Sequence, residues 1–165
     1  MTSGAMADFS AGQVRFPRIQ YEPAGAMDQL SDRDFQRLLE FRVALRRFQR
    51  WSEDQARAAG LTHVQHQLLV AIRGHRGQGA PTVGDLAEYM LLKPHSTVEL
   101  VDRAEAAGLV RREPDSVDGR LVRVRLTAKG DRILQELTDA HLVQLHDLAA
   151  VLDQLVQHSN GSVGS

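Results

Sequence analysis

The chain has 165 residues, with 20 Lys and Arg against 21 Asp and Glu and a formal net charge of -1. That length fits one compact domain, or one domain with helical attachments, and near-neutrality means that any surface for nucleic acid must be local. The lack of cysteine excludes disulfides, thiolate metal sites and cysteine nucleophiles, while apolar stretches too short for a bilayer and an opening without a secretory pattern predict a cytoplasmic protein with no membrane partner.

Residues 1–30 are interrupted by Gly12, Pro17, Pro23 and Gly25 and read as an irregular arm. From Ser31 the texture changes. Phe35, Leu38, Leu39, Phe41, Leu45 and Phe48 recur at three- and four-residue steps, which predicts a helix to Ala59. Ser31 or Asp32 caps its start and Gly60 ends it. Such a helix is roughly 40 Å long, more than one small domain needs, so part of it is expected to serve a partner.

A second helix follows Thr62 through Gln65, Leu68, Leu69 and Ile72, and the glycine-rich stretch Gly74–Pro81 reads as a loop. Thr82 opens a short helix with Val83, Leu86, Ala87 and Met90 inward, and after a brief turn another helix runs to Ala107 and closes on Gly108. Strands are predicted at Leu109–Arg112 and Leu121–Leu126, turned by Asp118-Gly119. Thr127 caps a final helical region to about Gln157, with leucines at 134, 137, 142, 145, 148, 152 and 155. The predicted fold class is mainly α with a small β-hairpin wing, a winged helix-turn-helix flanked by long N- and C-terminal helices.

Two short helices joined by a tight turn let the second project toward a major groove. Its packed face carries Thr97, Leu100, Val101 and Ala104, while His95, Ser96, Glu99, Asp102 and Arg103 lie opposite. The candidate reading set is Lys93, His95, Ser96, Thr97, Glu99 and Arg103: hydroxyl, imidazole and cationic donors reach phosphates or base acceptors, and Glu99 can accept from a cytosine amine. Two starts compete for this helix. Pro94 suits its first position, whereas Ser96-x-x-Glu99 would form a capping box two residues later and occupy Glu99 with backbone. Arg111, Arg112, Arg120, Arg123 and Arg125 gather on the hairpin. Arg120, beside the turn glycine, is placed to enter a narrow minor groove, and Asp118 to orient its guanidinium. An ordinary surface ion pair is the plainer alternative.

Five segments in register make the pattern specific. They are Leu61-Thr62-x-x-Gln65, Asp85-Leu86-Ala87, Ser96 through Arg112, Asp115-x-x-Asp118-Gly119-Arg120 and Leu126-Thr127-x-x-Gly130. Over Ser31 to Val156 the chain resembles the MarR family of transcriptional regulators. It departs at Ala104, where leucine is usual, and at Lys93-Pro94, where serine is common. The resemblance implies a dimerisation helix at 31–60, a DNA-binding lobe at 61–130 and C-terminal dimerisation helices at 131–158, while residues 159–165, polar and rich in Gly and Ser, read as a disordered tail. It implies a homodimer on double-stranded DNA, a palindromic operator and a repressor's role. Asp118, Arg120 and Arg112 would be the wing contacts. It also implies a small aromatic or lipophilic effector, with Phe41, Leu45, Phe48, Trp51, His66 and Leu69 as candidate contacts, although an aromatic stripe at helical spacing is more simply core.

No metal is expected. His63 and His66 could share a helix face, but no third ligand is set by spacing, and His141 and His146, five apart, do not pair. Gly74-x-x-Gly77-x-Gly79 lacks the Lys-Ser or Lys-Thr of a phosphate loop. Without a nucleophile elbow or paired-carboxylate motif, no enzyme activity and no cofactor is expected. The rival functional class is a winged-helix module that binds protein without sequence-specific DNA binding, which near-neutral charge keeps open.

Overall fold

The computed structural model describes residues 31–160, with side chains through Asp153. In chain order the elements are α1 (Asp32–Ala58), α2 (His63–Arg73), α3 (Val83–Met90), α4 (Pro94–Ala106), β1 (Val110–Pro114), β2 (Val122–Leu126) and α5 (Ala128–Asn160). They divide into two compact units, one of residues 64–134 and one that joins residues 31–63 to 135–160, so α5 begins in the first and ends in the second. The arm expected at 1–30 and the tail residues 161–165 lie outside the described residues.

In the first unit, three short helices close around the hairpin. The α3 start is fixed by Thr82, whose N–H and hydroxyl each donate to Asp85 at 2.8 Å while the Asp85 N–H donates back to the Thr82 hydroxyl at 3.2 Å. Its end is set by Leu91, which adopts left-handed backbone at φ 52° while the Leu92 N–H reaches the Ala87 carbonyl at 3.0 Å. A leucine held there costs about 1–2 kcal/mol against right-handed backbone, a strain accepted at the turn that swings α4 out. Apolar positions at helical spacing meet in the middle. Leu68, Leu69, Leu86, Leu100, Val101 and Val124 are all at most 2% exposed, each contributing on the order of 1.5–3 kcal/mol by leaving water.

The strands pair antiparallel, with Val110 opposite Leu126 and Pro114 opposite Val122. Both start one residue later than expected: β1 at Val110, running on to Pro114, and β2 at Val122, ending at Leu126 as expected. Seven residues, 115–121, therefore make the connection, and Asp118-Gly119 is one turn within it rather than the whole loop. On its other side β2 bridges at Arg123 to Thr82, and the Val124 N–H donates to the Pro81 carbonyl at 2.8 Å.

The entry to α5 is tied to the end of α4. The Thr127 hydroxyl donates to the Gly108 carbonyl at 2.7 Å and accepts from the Gly130 N–H at 3.1 Å. A Cβ on Gly130 would lie 2.1 Å from the Leu109 carbonyl oxygen, so only glycine allows this approach.

The second unit contains α1 and the distal part of α5. The Asp34 carboxylate takes both the N–H and the hydroxyl of Ser31 and so fixes the α1 start. Ser52 is buried and its hydroxyl meets His141 Nε2 at 2.9 Å, while Nδ1 of that ring meets the Leu137 carbonyl at 2.7 Å. Trp51 and Phe48 lie against the same imidazole, at ring-centre distances of 4.7 and 6.4 Å. α5 is one continuous helix rather than several, and it includes Ser159 and Asn160, where the tail was expected to begin.

Gly130→Ala is expected to lower unfolding stability by about 3 kcal/mol, because rigid backbone rather than a movable side chain meets the new methyl. Gly119→Ala, with nothing within 4 Å of its Cβ, should stay within about 0.5 kcal/mol of the parent. Thermal unfolding of the two variants side by side measures the difference.

Candidate nucleic-acid interface

α4 begins at Pro94 with Lys93 as its cap, and no side chain caps it. The choice left open by the sequence thus falls to the proline start. Glu99 is consequently a solvent-facing residue in the second turn, with no backbone to serve. Lys93, His95, Glu99 and Arg103 are exposed and Ser96 is half-buried. Thr97 is a correction. It is 0% exposed, and its hydroxyl donates to the Lys93 carbonyl one turn back at 3.2 Å, so it belongs to the packed face with Leu100, Val101 and Ala104.

The hairpin arginines divide into tied and untied. Arg112 is also a correction to the expected contacts. Its guanidinium bonds to Asp102 at 2.6 Å and to Glu105, and its N–H donates to Glu105 at 2.9 Å. Those carboxylates lie on α4, so Arg112 braces the wing against the helix rather than facing outward; they hold its guanidinium proton more firmly than usual despite partial desolvation. On the opposite face of the sheet, Glu113 is shared between Arg111 and Arg125. Arg123 bonds to Asp115 at 2.6 Å and to the Ala80 carbonyl at 2.9 Å. Arg120 alone of the five makes no ion pair among the described residues.

Asp118 works differently from the expectation. Its carboxylate accepts the Arg120 backbone N–H at 3.0 Å, and its carbonyl accepts the Leu121 N–H at 2.9 Å. It shapes the turn that carries Arg120 and does not hold the guanidinium. Asp115, quoted in the sequence pattern but given no role there, proves central to the loop. One of its oxygens accepts the Val117 and Asp118 N–H groups, each at 2.8 Å, and the other holds Arg123. The N–H groups of Asp118 and Val117, then Arg123, pull the Asp115 carboxyl down to about 2. The available signal was its place three residues before Asp118, the spacing of an Asx-type turn. What the sequence could not supply was Arg123, eight residues on, as the partner of its second oxygen.

The effector candidates separate. Phe48 and Trp51 line a cleft of about 760 Å³ in the second unit, with Leu39, Val43, Leu148 and Val151. Phe41 and Leu45 are exposed and do not line it. His66 and Leu69, at 5% and 0% exposure, are part of the first unit's core. Among the described residues no group of three His, Asp or Glu side chains could hold a metal, and no helix is long and apolar enough to cross a membrane.

The Asp115 carboxyl sits below its ordinary value of 3.8, so the wing geometry it supports is fully present above about pH 4 and is lost as pH falls toward 2. Asp115→Ala should expose the Val117 and Asp118 amides, speeding their hydrogen exchange on the order of tenfold. Exchange at neutral pH and an acid titration followed by NMR test both statements.

Residues 59–121 match the MarR family model. An uncharacterised HTH-type transcriptional regulator of Bacillus subtilis, YsmB, is 37% identical over 70 residues, 42% of this chain and 48% of its own length. The chain therefore spans about half of that relative. The HTH-type transcriptional repressor MdtR of the same organism is 27% identical over 113 residues, 59% of this chain and 71% of its own length. A MarR family protein of Bacillus stearothermophilus superposes with a TM-score of 0.60 at 28% identity, covering 80% of this chain and 92% of that one. Both Bacillus subtilis relatives are named as transcriptional regulators. Over residues 59–121 the chain thus matches the MarR family model, and its winged helix-turn-helix fold is similar to that of the MarR family protein of Bacillus stearothermophilus.

Proposed function

We propose that the protein is a dimeric, DNA-binding transcriptional repressor of the cytoplasm, which reads a palindromic operator through α4 and the wing. The observation that carries this reading is the sorting of the wing's arginines. Four are neutralised by nearby acids, and the fifth, Arg120, stands untied at the tip of a loop that Asp115 and Asp118 hold in shape. A preorganised, exposed guanidinium suits a minor groove, where the potential is most negative. Beside it, Lys93, His95, Ser96, Glu99 and Arg103 form the polar outer edge of α4, which suits base and phosphate contacts in the major groove. The repressor's role is supported by the likeness to MdtR.

Dimerisation is supported by the second unit. Phe35, Leu38 and Leu39 on α1, and Leu142 and Val143 on α5, are all more than half exposed, an apolar surface that calls for a partner. A two-fold dimer would set two α4 helices in successive major grooves, roughly 34 Å apart. The cleft beside Phe48 and Trp51 lies within the usual size of small-molecule sites, and we assign it to a small aromatic or lipophilic effector whose binding releases DNA. His66 and Leu69 drop out of that assignment because they are core.

A mobility-shift titration on the DNA flanking the protein's own gene tests the main reading. Sequence-selective binding that weakens steeply with salt is expected; no selective binding at low salt would leave the winged helix as a protein-binding module. Arg120→Ala should lower affinity about tenfold and shift the salt slope by roughly one counterion, with the dimer intact. Trp51 is the chain's one tryptophan and lines the cleft, so an aromatic effector should quench its fluorescence at the concentrations that release DNA. Release without quenching would place the effector elsewhere.

A further inference from the structure

A second cleft, of about 460 Å³, opens at the base of the wing, away from the loop that carries Arg120. Three arginines from separate elements line it: Arg73 at the end of α2, Arg111 on β1 and Arg125 on β2. Asp131 is the one carboxylate among the lining residues, and Thr127 and Ala128 close the side toward α5. Every wall belongs to the first unit.

The guanidiniums are held in place without being used up. Arg111 and Arg125 stand opposite each other across the two strands, with Cβ atoms about 5 Å apart, and like charges so placed repel. Glu113, which does not line the cleft, tethers both of them through Nε alone, at 2.5 and 2.8 Å. Among the described residues, the terminal nitrogens of both side chains meet no acceptor, so each guanidinium keeps all but one of its donors. Arg73 contacts Asp131 at 3.4 Å through one terminal nitrogen and has the other to spare. His75 also lines the cleft, its Nδ1 engaged by the Tyr89 hydroxyl at 2.9 Å and its Nε2 left over. A guanidinium offers two parallel N–H groups to the two oxygens of a carboxylate or phosphate. Three such forks around one space call for more than one acidic group on the molecule that fills it, and the volume is that of a small-molecule site.

We propose that this cleft binds a small polyanion, a molecule carrying two or more carboxylate or phosphate groups, through Arg73, Arg111 and Arg125. Seated there, the anion answers the repulsion between the two strand arginines and joins the base of the wing to the end of α2. The site is separate from the cleft beside Trp51 that is assigned above to an aromatic or lipophilic effector. It stands whether or not the protein dimerises or binds DNA.

Calorimetric titration of the full-length chain with citrate and with pyrophosphate, in chloride buffer of fixed ionic strength, tests it. At least one of the two should bind with a Kd of about 0.1 mM or tighter, and acetate, with its single carboxylate, at least about tenfold more weakly. Tighter binding of citrate assigns a carboxylate ligand, tighter binding of pyrophosphate a phosphorylated one, and either supports the site. Arg111→Gln together with Arg125→Gln should weaken binding about a hundredfold, and Arg120→Ala should leave it unchanged. Glu113→Gln removes the acid that competes for both strand arginines and should tighten binding about threefold, a gain that a damaged fold would not give. Amide NMR shifts on titration should centre on Ala80, Leu126 and Ala128. Shifts confined to α4 and the wing tip overturn the proposal, as does affinity that survives in the double variant or falls in Glu113→Gln. A wild type that binds neither anion below about 10 mM also overturns it, and loss of DNA affinity in the double variant would then give these arginines to a nucleic-acid backbone.

Discussion

A two-stranded hairpin has no core of its own and is at best marginally stable in water, so the wing of this protein depends on polar ties to its surroundings. Arg112 reaches Asp102 and Glu105 on α4, and Arg123 reaches Asp115 in the loop and the Ala80 carbonyl beyond α2. The Val124 N–H adds a backbone bond to Pro81. These ties make the hairpin an extension of the helical core, and they orient the wing tip and the outer edge of α4 together. Exposed ion pairs contribute little individually. Arg123 and Asp115 are largely shielded from water, with side chains 17% and 12% exposed, and theirs is the pair on which the loop turns.

The same arrangement reconciles a near-neutral chain with the nucleic-acid surface proposed for it. Most of the wing's positive charge is spent inside the protein. In the function proposed above, the cations left for a phosphate or a base edge are few: Arg120 at the tip, with Lys93 and Arg103 on α4, all exposed. Such a surface favours geometric selectivity over bulk attraction.

The second unit follows a different logic. Its helices bury little beyond Ser52, Ala56, Leu61 and Leu137 and leave apolar side chains in water along both α1 and α5. A helix of 27 residues and one of 33 are far longer than that small core needs. In the proposed dimer, that length and the exposed leucines would serve a second copy of the chain.

Local features were legible in the sequence. Periodicity marked the helices, Thr82 and Gly108 their ends, and Asp118-Gly119 a turn, because each depends on residues within one or two turns of chain. The exposed positions of α4 followed from the same periodicity. Which arginine is free did not follow, since that depends on acids brought near by folding: Asp102 and Glu105 are ten and seven residues from Arg112, and Ala80 is 43 from Arg123. His66 likewise reads as an effector ligand in sequence and as core in three dimensions. For the winged helix itself, the sequence alone determined the order and type of its elements. Tertiary packing decided that the hairpin, five arginines on paper, presents one untied guanidinium, because desolvation and proximity to carboxylates act through space and leave no mark on local spacing.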